Sequence, residues 1–383
     1  MYGACTSAVF GGQASEVGAA QMTESVRDGE PSLVPAQAMT VLGPVDVGDL
    51  GLTLMHEHLL HDGTGNPCWF LPSTDHATKG VAEMPVTMEI LGYLQRSPFI
   101  CRDNTRLVRS DPVANELAAF RAAGGRTIVE LTSRGMSPDP EGLADISRKA
   151  AVHVIAGCGF YVDHTIATWV RPRSVDDLTT QILGELLDGI AGTRIRAGVI
   201  GEVGTSATIT PAEEKSLRAA GQASASTGVT IMVHLDMAGQ QAFEVFRVLT
   251  SEGVSPDRIV MNHMDEANDL TYSRRVAQLG CVVQYDTFGS EWYYDAWKTW
   301  EPRDTERVRH VATLCADGLA SQVTLSQDVY YKQSLQAFGG FGYGHIIRSI
   351  IPMLLDAGVT AEQIDTMLVA NPRRLLSFPG GGR

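Results

Sequence analysis

The chain has 383 residues, of which 44% are hydrophobic and 19% charged, so it can bury a sizeable core as one large soluble domain. Its 44 acidic and 30 basic residues give a net charge of -14, which disfavours nucleic acid and anionic membranes as partners. No apolar run approaches the roughly 20 residues that a membrane-spanning helix needs.

The first 38 residues differ in composition and in hydrophobic pattern from the rest of the chain. They are rich in Gly, Ala, Ser and Glu, contain no basic residue before Arg27, and show no periodicity. Because a secretory signal needs a basic region followed by an apolar one, we interpret residues 1–38 as a loose extension and residues 39–383 as one domain. The six scattered cysteines form no C-x-x-C pair, which predicts reduced thiols and a cytoplasmic location.

From residue 40 onward, short β-branched runs alternate with longer amphipathic stretches. The runs show little alternation of polar and apolar residues, as expected for parallel strands that are buried on both faces. In chain order, the predicted strands are Leu52–His56, Arg126–Leu131, Val152–Ala156, Ala197–Ile200, Thr230–Val233, Arg258–Met261, Cys281–Tyr285 and Gln322–Leu325.

Helix signals lie between these strands. Ser174 with Asp177 resembles a capping box, and Thr210-Pro211 with Glu213 combines an N-cap, a first-turn proline and a capping glutamate. Eight strand and helix units predict a (β/α)8 barrel with its active site at the carboxyl ends of the strands. A doubly wound open sheet is the alternative, which the lack of a Gly-rich phosphate loop after the first strand disfavours.

Metal-competent side chains stand at the ends of five predicted strands. His56 and His58 lie two residues apart, so on a strand they face the same side and can bind one ion. The other strand ends carry Glu202, His234, His263 and Asp328.

Four histidines and two carboxylates at one mouth are what a binuclear centre needs. We assign His56, His58 and Asp328 to one cation, and His234 and His263 to the other. Glu202 is assigned as the bridge, because a carboxylate offsets the repulsion between two cations. Imidazole and carboxylate ligands suit zinc, which we favour, with manganese, iron or cobalt as alternatives.

Six ordered segments of the chain resemble the motifs of the phosphotriesterase family within the amidohydrolase superfamily. The segments read GLTLMHEHLL, GEVGTS followed by TPAEE, IMVHLDM, IVMNHMDE, QYDTFG and LSQDV, and the resemblance runs from about Val41 to Pro372. The resemblance implies a (β/α)8 barrel that holds two metals with the ligands named above, and barrels of this type are often homodimers.

The bridging position departs from many members of that family. Organophosphate hydrolases and many related lactonases have a carboxylated lysine where this chain has Glu202. The chain is more similar to the phosphotriesterase-related (homology protein) branch, in GEVG and in the segment DVYYKQSLQAFGGFGYGHIIRSIIPML. This departure argues against efficient organophosphate hydrolysis.

The predicted centre favours hydrolysis. A water between two cations has its pKa lowered toward neutrality, so a metal-bridging hydroxide is available as nucleophile, and Asp328 is the candidate catalytic proton acceptor. The expected substrate is a small carboxylic derivative, namely a lactone, an ester or an N-acyl amide. The alternatives are a phosphoester or organophosphate substrate, and a non-catalytic barrel that binds a small ligand.

Aromatic residues after the third, seventh and eighth strands predict the substrate contacts. We expect Tyr161, Trp292, Tyr331 and Lys332 to line the mouth and to hold an apolar or mixed substrate. Tyr161, in GCGFYVD, also matches the position of a pocket tyrosine in the related lactonases.

Overall fold

The computed structural model describes residues 36–63, 70–71, 78–108, 110–237, 240–295 and 298–378. Residues 1–35 of the predicted extension lie outside the described ranges. Strand Gln37–Thr40 begins inside the last residues of the predicted extension and pairs antiparallel with Gly43–Asp46. Ala38 is fully buried, so these last residues belong to the folded body.

Eight parallel strands follow one another around the sheet in chain order, which confirms the predicted (β/α)8 barrel. Each predicted strand is present, with bounds within a few residues of those expected. The strands are β1 Leu52–Glu57, β2 Gly125–Glu130, β3 His153–Cys158, β4 Val199–Gly204, β5 Ile231–His234, β6 Ile259–Met261, β7 Val282–Tyr285 and β8 Val323–Leu325.

The first and last strands meet through Ser326, which follows β8. The hydroxyl of Ser326 accepts a hydrogen bond from the backbone N–H of His56 (2.9 Å) and donates to its carbonyl (2.7 Å). Two residues further on, the backbone N–H of Asp328 also donates to the His56 carbonyl (3.2 Å). A predicted ligand on β1 is therefore held against another that follows β8.

Helices surround the strands, and both predicted capping boxes form. The Ser174 and Thr210 side chains accept from the backbone N–H groups of Asp177 and Glu213, whose carboxylates accept in return. The α-helices are α1 Leu91–Leu94, α2 Ser110–Ala122, α3 Pro140–Ala150, α4 Asp163–Val170, α5 Val175–Leu187, α6 Pro211–Thr227, α7 Ala242–Ser251, α8 Leu270–Ala277, α9 Asp304–Ala316, α10 Ile351–Asp356, α11 Ala361–Asp365 and α12 Asn371–Leu376, with π-helical segments at Ile346–Ile350 and Thr366–Ala370.

Alternate strand residues build two apolar layers. Met55, Val129 and Ile155 pack inside the barrel, whereas their neighbours Leu54 and Ile128 pack outward against the helices. Since the inward-facing apolar residues fill the barrel below the strand ends, polar side chains are left to the carboxyl-terminal mouth.

Two short antiparallel strand pairs stand at that mouth: His61–Asp62 with Arg106–Leu107, and the hairpin of Tyr293–Tyr294 with Thr299–Trp300. Among the described helices, none combines the length and the apolar character needed to cross a bilayer. The four cysteines in the described ranges are buried free thiols.

Candidate metal centre

The six predicted ligands come together at the mouth of the barrel. His56 lies in β1 and Glu202 in β4, and both side chains are at most 1% exposed. Their nitrogen and oxygen atoms form three overlapping groups, and within each group the atoms lie within 4.8 Å of one another. The groups are His56, His58 and Glu202; His56, His263 and Asp328; and Glu202, His234 and His263.

Glu202 lies between two sets of histidines. Its Oε1 is 2.8 Å from His234 Nδ1 and 3.1 Å from His263 Nε2. The same carboxylate is 3.6 Å from His56 Nε2 and 4.0 Å from His58 Nε2. This central position is the one that the predicted bridging role requires.

Asp328 lies on the β1 side of the centre. Its Oδ1 is 3.2 Å from His58 Nε2 and 3.5 Å from His56 Nε2. Asp328 Oδ1 and His56 Nε2 are buried and have no hydrogen-bond partner. Because a buried polar atom without a partner is destabilising, these two atoms point to positive charge supplied from outside the chain. Four imidazoles and two carboxylates are the donor types that bind divalent transition metals, so the residues present fit a pair of such ions.

Asp286, which directly follows β7, orients one histidine from each predicted ion site. Nδ1 of His56 donates to its Oδ2 (2.9 Å), and Nδ1 of His263 donates to its Oδ1 (3.0 Å). Both Nε2 atoms are thereby directed toward the centre. We assigned Asp286 no role from the sequence, although its place at the end of a strand is the signal that identified the ligands.

A second orienting contact serves His58. Thr132 donates its hydroxyl proton to Glu130 (2.5 Å), so Thr132 Oγ1 accepts from Nδ1 of His58 (2.9 Å). Thr132 and Glu130 were also not identified from the sequence, since neither residue type at that spacing forms a recognisable motif.

The centre attracts cations electrostatically. Burial opposes ionisation of Glu202, but its interactions with the imidazoles of His234, His56 and His263 outweigh it and hold the Glu202 pKa well below its usual range. Burial likewise opposes ionisation of His58, yet the contact with Asp328 raises the pKa of His58 to about 9. The carboxylate of Asp328 thus favours the protonated, positively charged form of His58 even though His58 is buried.

The backbone is shaped to bring these groups together. His263 (φ 57°) and Asp328 (φ 48°) both adopt the left-handed conformation, which is unfavourable for residues other than glycine and is concentrated at functional sites. On β3, a Cβ at Gly157 would lie 1.9 Å from the carbonyl oxygen of Gly201, the residue before Glu202. A glycine is therefore required where β3 packs beside the carboxylate that is predicted to bridge.

A cavity of about 990 Å³ opens above the centre, large enough for a small organic substrate. Glu202, His234, His263 and Asp328 contribute to its floor, and Tyr161 lines its wall. The Tyr161 hydroxyl is 3.5 Å from Nδ1 of His234, so it lies close enough to the centre to reach a substrate bound there. The role of Tyr161 in substrate binding stays a prediction.

The other three predicted substrate contacts lie outside the lining of this cavity. Lys332 forms an ion pair with Asp103, and Tyr331 is fully buried, where it accepts a hydrogen bond from Tyr330 (2.9 Å). Trp292 packs edge-on against Tyr331. Their direct contact with substrate stays a prediction that this geometry does not favour.

A second buried cluster of charges lies beside the cavity, around Arg307 of α9. The guanidinium is fully buried and reaches Asp265 (2.9 Å), Glu301 (3.2 Å) and Asp304 (3.3 Å). It also donates to the hydroxyl of Thr287 (2.7 Å) and to two backbone carbonyls. We call this set the Arg307 cluster; no sequence motif indicated it.

The chain is similar in sequence and in structure to known proteins. The family model described as the phosphotriesterase family matches residues 36–376. N-acetyltaurine hydrolase from Bos taurus is 34% identical over 351 residues, which cover 91% of this chain and 99% of that protein.

Two solved structures are similar over most of their length. A resiniferatoxin-binding protein from Rhodobacter sphaeroides has a TM-score of 0.86 and 36% identity, covering 89% of this chain and 95% of the other. The phosphotriesterase homology protein from Escherichia coli, complexed with phosphate in its active site, has a TM-score of 0.70 and 28% identity, covering 86% and 99%.

Proposed function

The chain belongs to the phosphotriesterase family and is a hydrolase, and from that premise we propose that it is a binuclear metal-dependent enzyme that cleaves a small N-acyl amide. The observation that carries this proposal is the convergence of four imidazoles and two carboxylates around buried atoms without partners. The N-acyl amide is favoured over a lactone or ester because the bovine relative, 34% identical along nearly its whole length, is named for hydrolysis of such an amide.

The chain's own residues divide the work of binding and proton transfer. When bound, two divalent cations lower the pKa of water and polarise the acyl carbonyl, and zinc is the metal we favour. His56, His58 and Asp328 would hold one cation, His234 and His263 the other, with Glu202 between them. The fixed directions of His56 and His263, set by Asp286, keep the centre in one geometry as substrate enters.

Asp328 moves the proton in the proposed reaction. Its Oδ1 has no hydrogen-bond partner, and its side chain lines the cavity, so it can receive a proton from the attacking water. Oxygen from that water bonds to the carbonyl carbon, the C–N bond breaks, and the proton passes through Asp328 to the leaving nitrogen. The products are a carboxylic acid and an amine. The Tyr161 hydroxyl is available to orient the carbonyl oxygen.

A phosphoester substrate is the second candidate, since the Escherichia coli neighbour carries phosphate in its active site. Both reactions need a water activated between two cations, so the centre alone does not choose between them.

The test is a substrate panel with purified protein from which metal has been removed by chelation. Zinc or manganese is added back, and hydrolysis of N-acetyltaurine, a neutral N-acetyl amide, a lactone, an aryl ester and a phosphotriester is measured. We expect metal-dependent release of amine as the fastest reaction. Asp328→Asn serves as the impaired variant, and Asp188→Asn, an exposed residue after α5, as its matched control. Faster turnover of the phosphotriester than of every acyl substrate would overturn the proposal.

A further inference from the structure

Glu57 is a buried carboxylate that the proposed chemistry does not use. In the sequence it stands between the predicted ligands His56 and His58, at the end of β1. It is fully buried, and it belongs to none of the three ligand groups found in the described part of the chain. Because a buried carboxylate needs partners, contacts other than a metal must stabilise it.

Both oxygens of Glu57 bind the backbone that follows β8. Oε1 accepts a hydrogen bond from the backbone N–H of Gln327 (3.0 Å), and Oε2 accepts one from that of Val329 (2.9 Å). The hydroxyl of Ser326 also lies 2.8 Å from Oε1. Asp328 is the residue between those two N–H groups, so the carboxylate holds the chain immediately before and immediately after it.

The conformation of Asp328 explains why this segment has to be held. Its φ of 48° lies in the left-handed region, which is unfavourable for residues other than glycine and persists only where the surroundings fix it. Backbone N–H groups around such a residue can form a concave site for an anion, and Glu57 supplies the anion. His263, the other predicted ligand in this conformation, is held similarly, since its backbone N–H donates to the carboxylate of Asp286 (2.9 Å).

The later part of the segment after β8 is anchored independently of Glu57. The backbone N–H of Gln333 donates to the side chain of Asn104 (2.9 Å), and that of Ala337 donates to a carboxylate on α2 (3.0 Å). We therefore expect loss of the Glu57 carboxylate to move the backbone at Asp328 without releasing the rest of the loop.

We propose that Glu57 is the positioning residue for Asp328. It fixes the backbone on both sides of Asp328 and thereby sets where that carboxylate lies, 3.2 Å from Nε2 of His58 and in the lining of the cavity. Glu57 itself lies outside that lining, so its effect on the reaction passes through Asp328. This inference rests on the proposed function, in which Asp328 binds one cation and receives the proton.

Glu57→Gln keeps the shape of the side chain but not its two acceptors. The amide oxygen can accept from one of the two N–H groups, whereas the amide nitrogen, itself a donor, faces the other. On the metal-loaded enzyme, we expect kcat for the N-acyl amide to fall by at least about tenfold and KM to change by less than about twofold, because a displaced proton acceptor slows the chemical step more than it weakens binding.

A double-mutant cycle separates positioning from a general loss of structure. In the Asp328→Asn background the proton acceptor is already absent, so we expect Glu57→Gln to lower kcat by no more than about twofold further. A purely structural role would lower kcat by the same factor in both backgrounds.

Glu213→Gln is the matched control. Glu213, on α6, is also fully buried, and its carboxylate likewise accepts from two backbone N–H groups (2.9 and 3.0 Å) and from a serine hydroxyl (2.6 Å). Because these contacts do not involve the segment after β8, we expect kcat to stay within about twofold of the unsubstituted enzyme.

A crystal structure of the metal-loaded Glu57→Gln variant supplies a readout that needs no turnover. We expect the carboxylate of Asp328 to move away from Nε2 of His58 by about 1 Å or more, a displacement large enough to slow catalysis, while residues 333–337 keep their places. Glu57→Asp is the second variant, in case the first does not fold. It keeps the charge but is one methylene shorter, so it can reach only one of the two N–H groups and should displace Asp328 as well.

The possible failures are distinguishable. Equal losses of kcat in the two backgrounds, or an unmoved Asp328 in the variant structures, overturn the inference and leave the proposed hydrolysis standing. Failure of both variants to fold, judged by circular dichroism, would assign Glu57 to the stability of the barrel alone and also overturns it. Absence of amide turnover by the unsubstituted metal-loaded enzyme overturns the proposed function, whereas the place of Asp328 in the variant structures still decides whether Glu57 positions it.

Discussion

The metal centre and the Arg307 cluster are both buried groups of carboxylates at the same end of the barrel, yet they are balanced in different ways. In the Arg307 cluster, the chain supplies the cation, and one guanidinium pairs with three carboxylates and donates to two carbonyls. In the candidate metal centre, a buried acceptor atom such as His56 Nε2 has no hydrogen-bond partner. The first cluster has its cation within the chain and is in that sense complete, whereas the second is incomplete and fits ions taken from solution.

The largest expected effect comes from Glu202→Gln, which removes the negative charge between the two predicted ions. We expect bound metal to fall from two ions to one or none, and kcat/KM to fall by about 10³-fold or more, because repulsion between the cations is no longer offset. Elemental analysis after chelation and reconstitution measures the metal content. Recovery of the unsubstituted protein should not depend on bicarbonate, because a glutamate, unlike a carboxylated lysine, needs no carbon dioxide.

Glu362→Gln, near the start of α11 and exposed, is the control for that substitution. Two metals retained by Glu202→Gln, or recovery that requires bicarbonate, would contradict the bridging assignment.

Arg307→Met tests the complete cluster. We expect it to lower the free energy of unfolding by about 3–5 kcal/mol, since Asp265, Glu301 and Asp304 would be left as buried charges without their partner. Urea titration with and without metal measures the loss, which should be present in both conditions. Arg309→Met, exposed on the same helix, should change stability little. A loss below about 1 kcal/mol would mean that this cluster does not stabilise the fold.

Asp328→Asn separates catalysis from metal binding within the incomplete cluster. We expect kcat to fall by about 10²-fold because a positioned proton acceptor is lost, while the amide oxygen preserves most of the contacts of the side chain. Metal content and turnover are measured on the same preparation. If the variant binds two metals and turns over within a few-fold of the unsubstituted enzyme, the general base lies elsewhere.

Asp286→Asn should have a smaller effect, on affinity rather than on stoichiometry. Because this carboxylate orients His56 and His263, we expect metal affinity to weaken by about 10- to 100-fold. Competition with a fluorescent chelator measures it, and Asp356→Asn, exposed at the end of α10, is the control. An unchanged affinity would show that other contacts suffice to orient these histidines.

The smallest expected effect is that of Tyr161→Phe. Loss of the hydroxyl should lower kcat/KM for acyl substrates by up to about tenfold and leave metal content unchanged, since the hydroxyl lies beside a ligand without being one. Tyr93→Phe, at a residue that is 44% exposed, controls for loss of a tyrosine hydroxyl elsewhere. Equal kcat/KM values across the substrate panel would assign Tyr161 to packing alone.

The strands, and the meeting of the six candidate ligands at the mouth, were predictable because each candidate ligand stands at the end of a strand that its own sequence reveals. A β-branched run such as Ala197–Ile200 leads directly into Glu202, and the parallel order of a barrel brings the carboxyl ends together. Asp286 meets the same criterion but carries out its role through other side chains, and no spacing in the sequence reveals such a contact.

The residues that line the cavity were less predictable. Trp292, Tyr331 and Lys332 follow strands seven and eight, but position along the chain does not determine where a side chain in a long loop points. In the structure they pack against Tyr294, Phe99 and Asp103 behind the cavity wall. Glu301 was missed for a related reason, since its burial depends on Arg307, which comes from the next helix.

The closure of the barrel at Ser326 has a consequence for the order of events during synthesis. The two strands that it joins are 270 residues apart in the chain, and the predicted ligands extend from His56 to Asp328. A growing chain therefore lacks the complete ligand set until nearly all of it has left the ribosome, and closure over such a separation is slow. Uptake of the full pair of ions would then occur as a late step of maturation, after the barrel has closed.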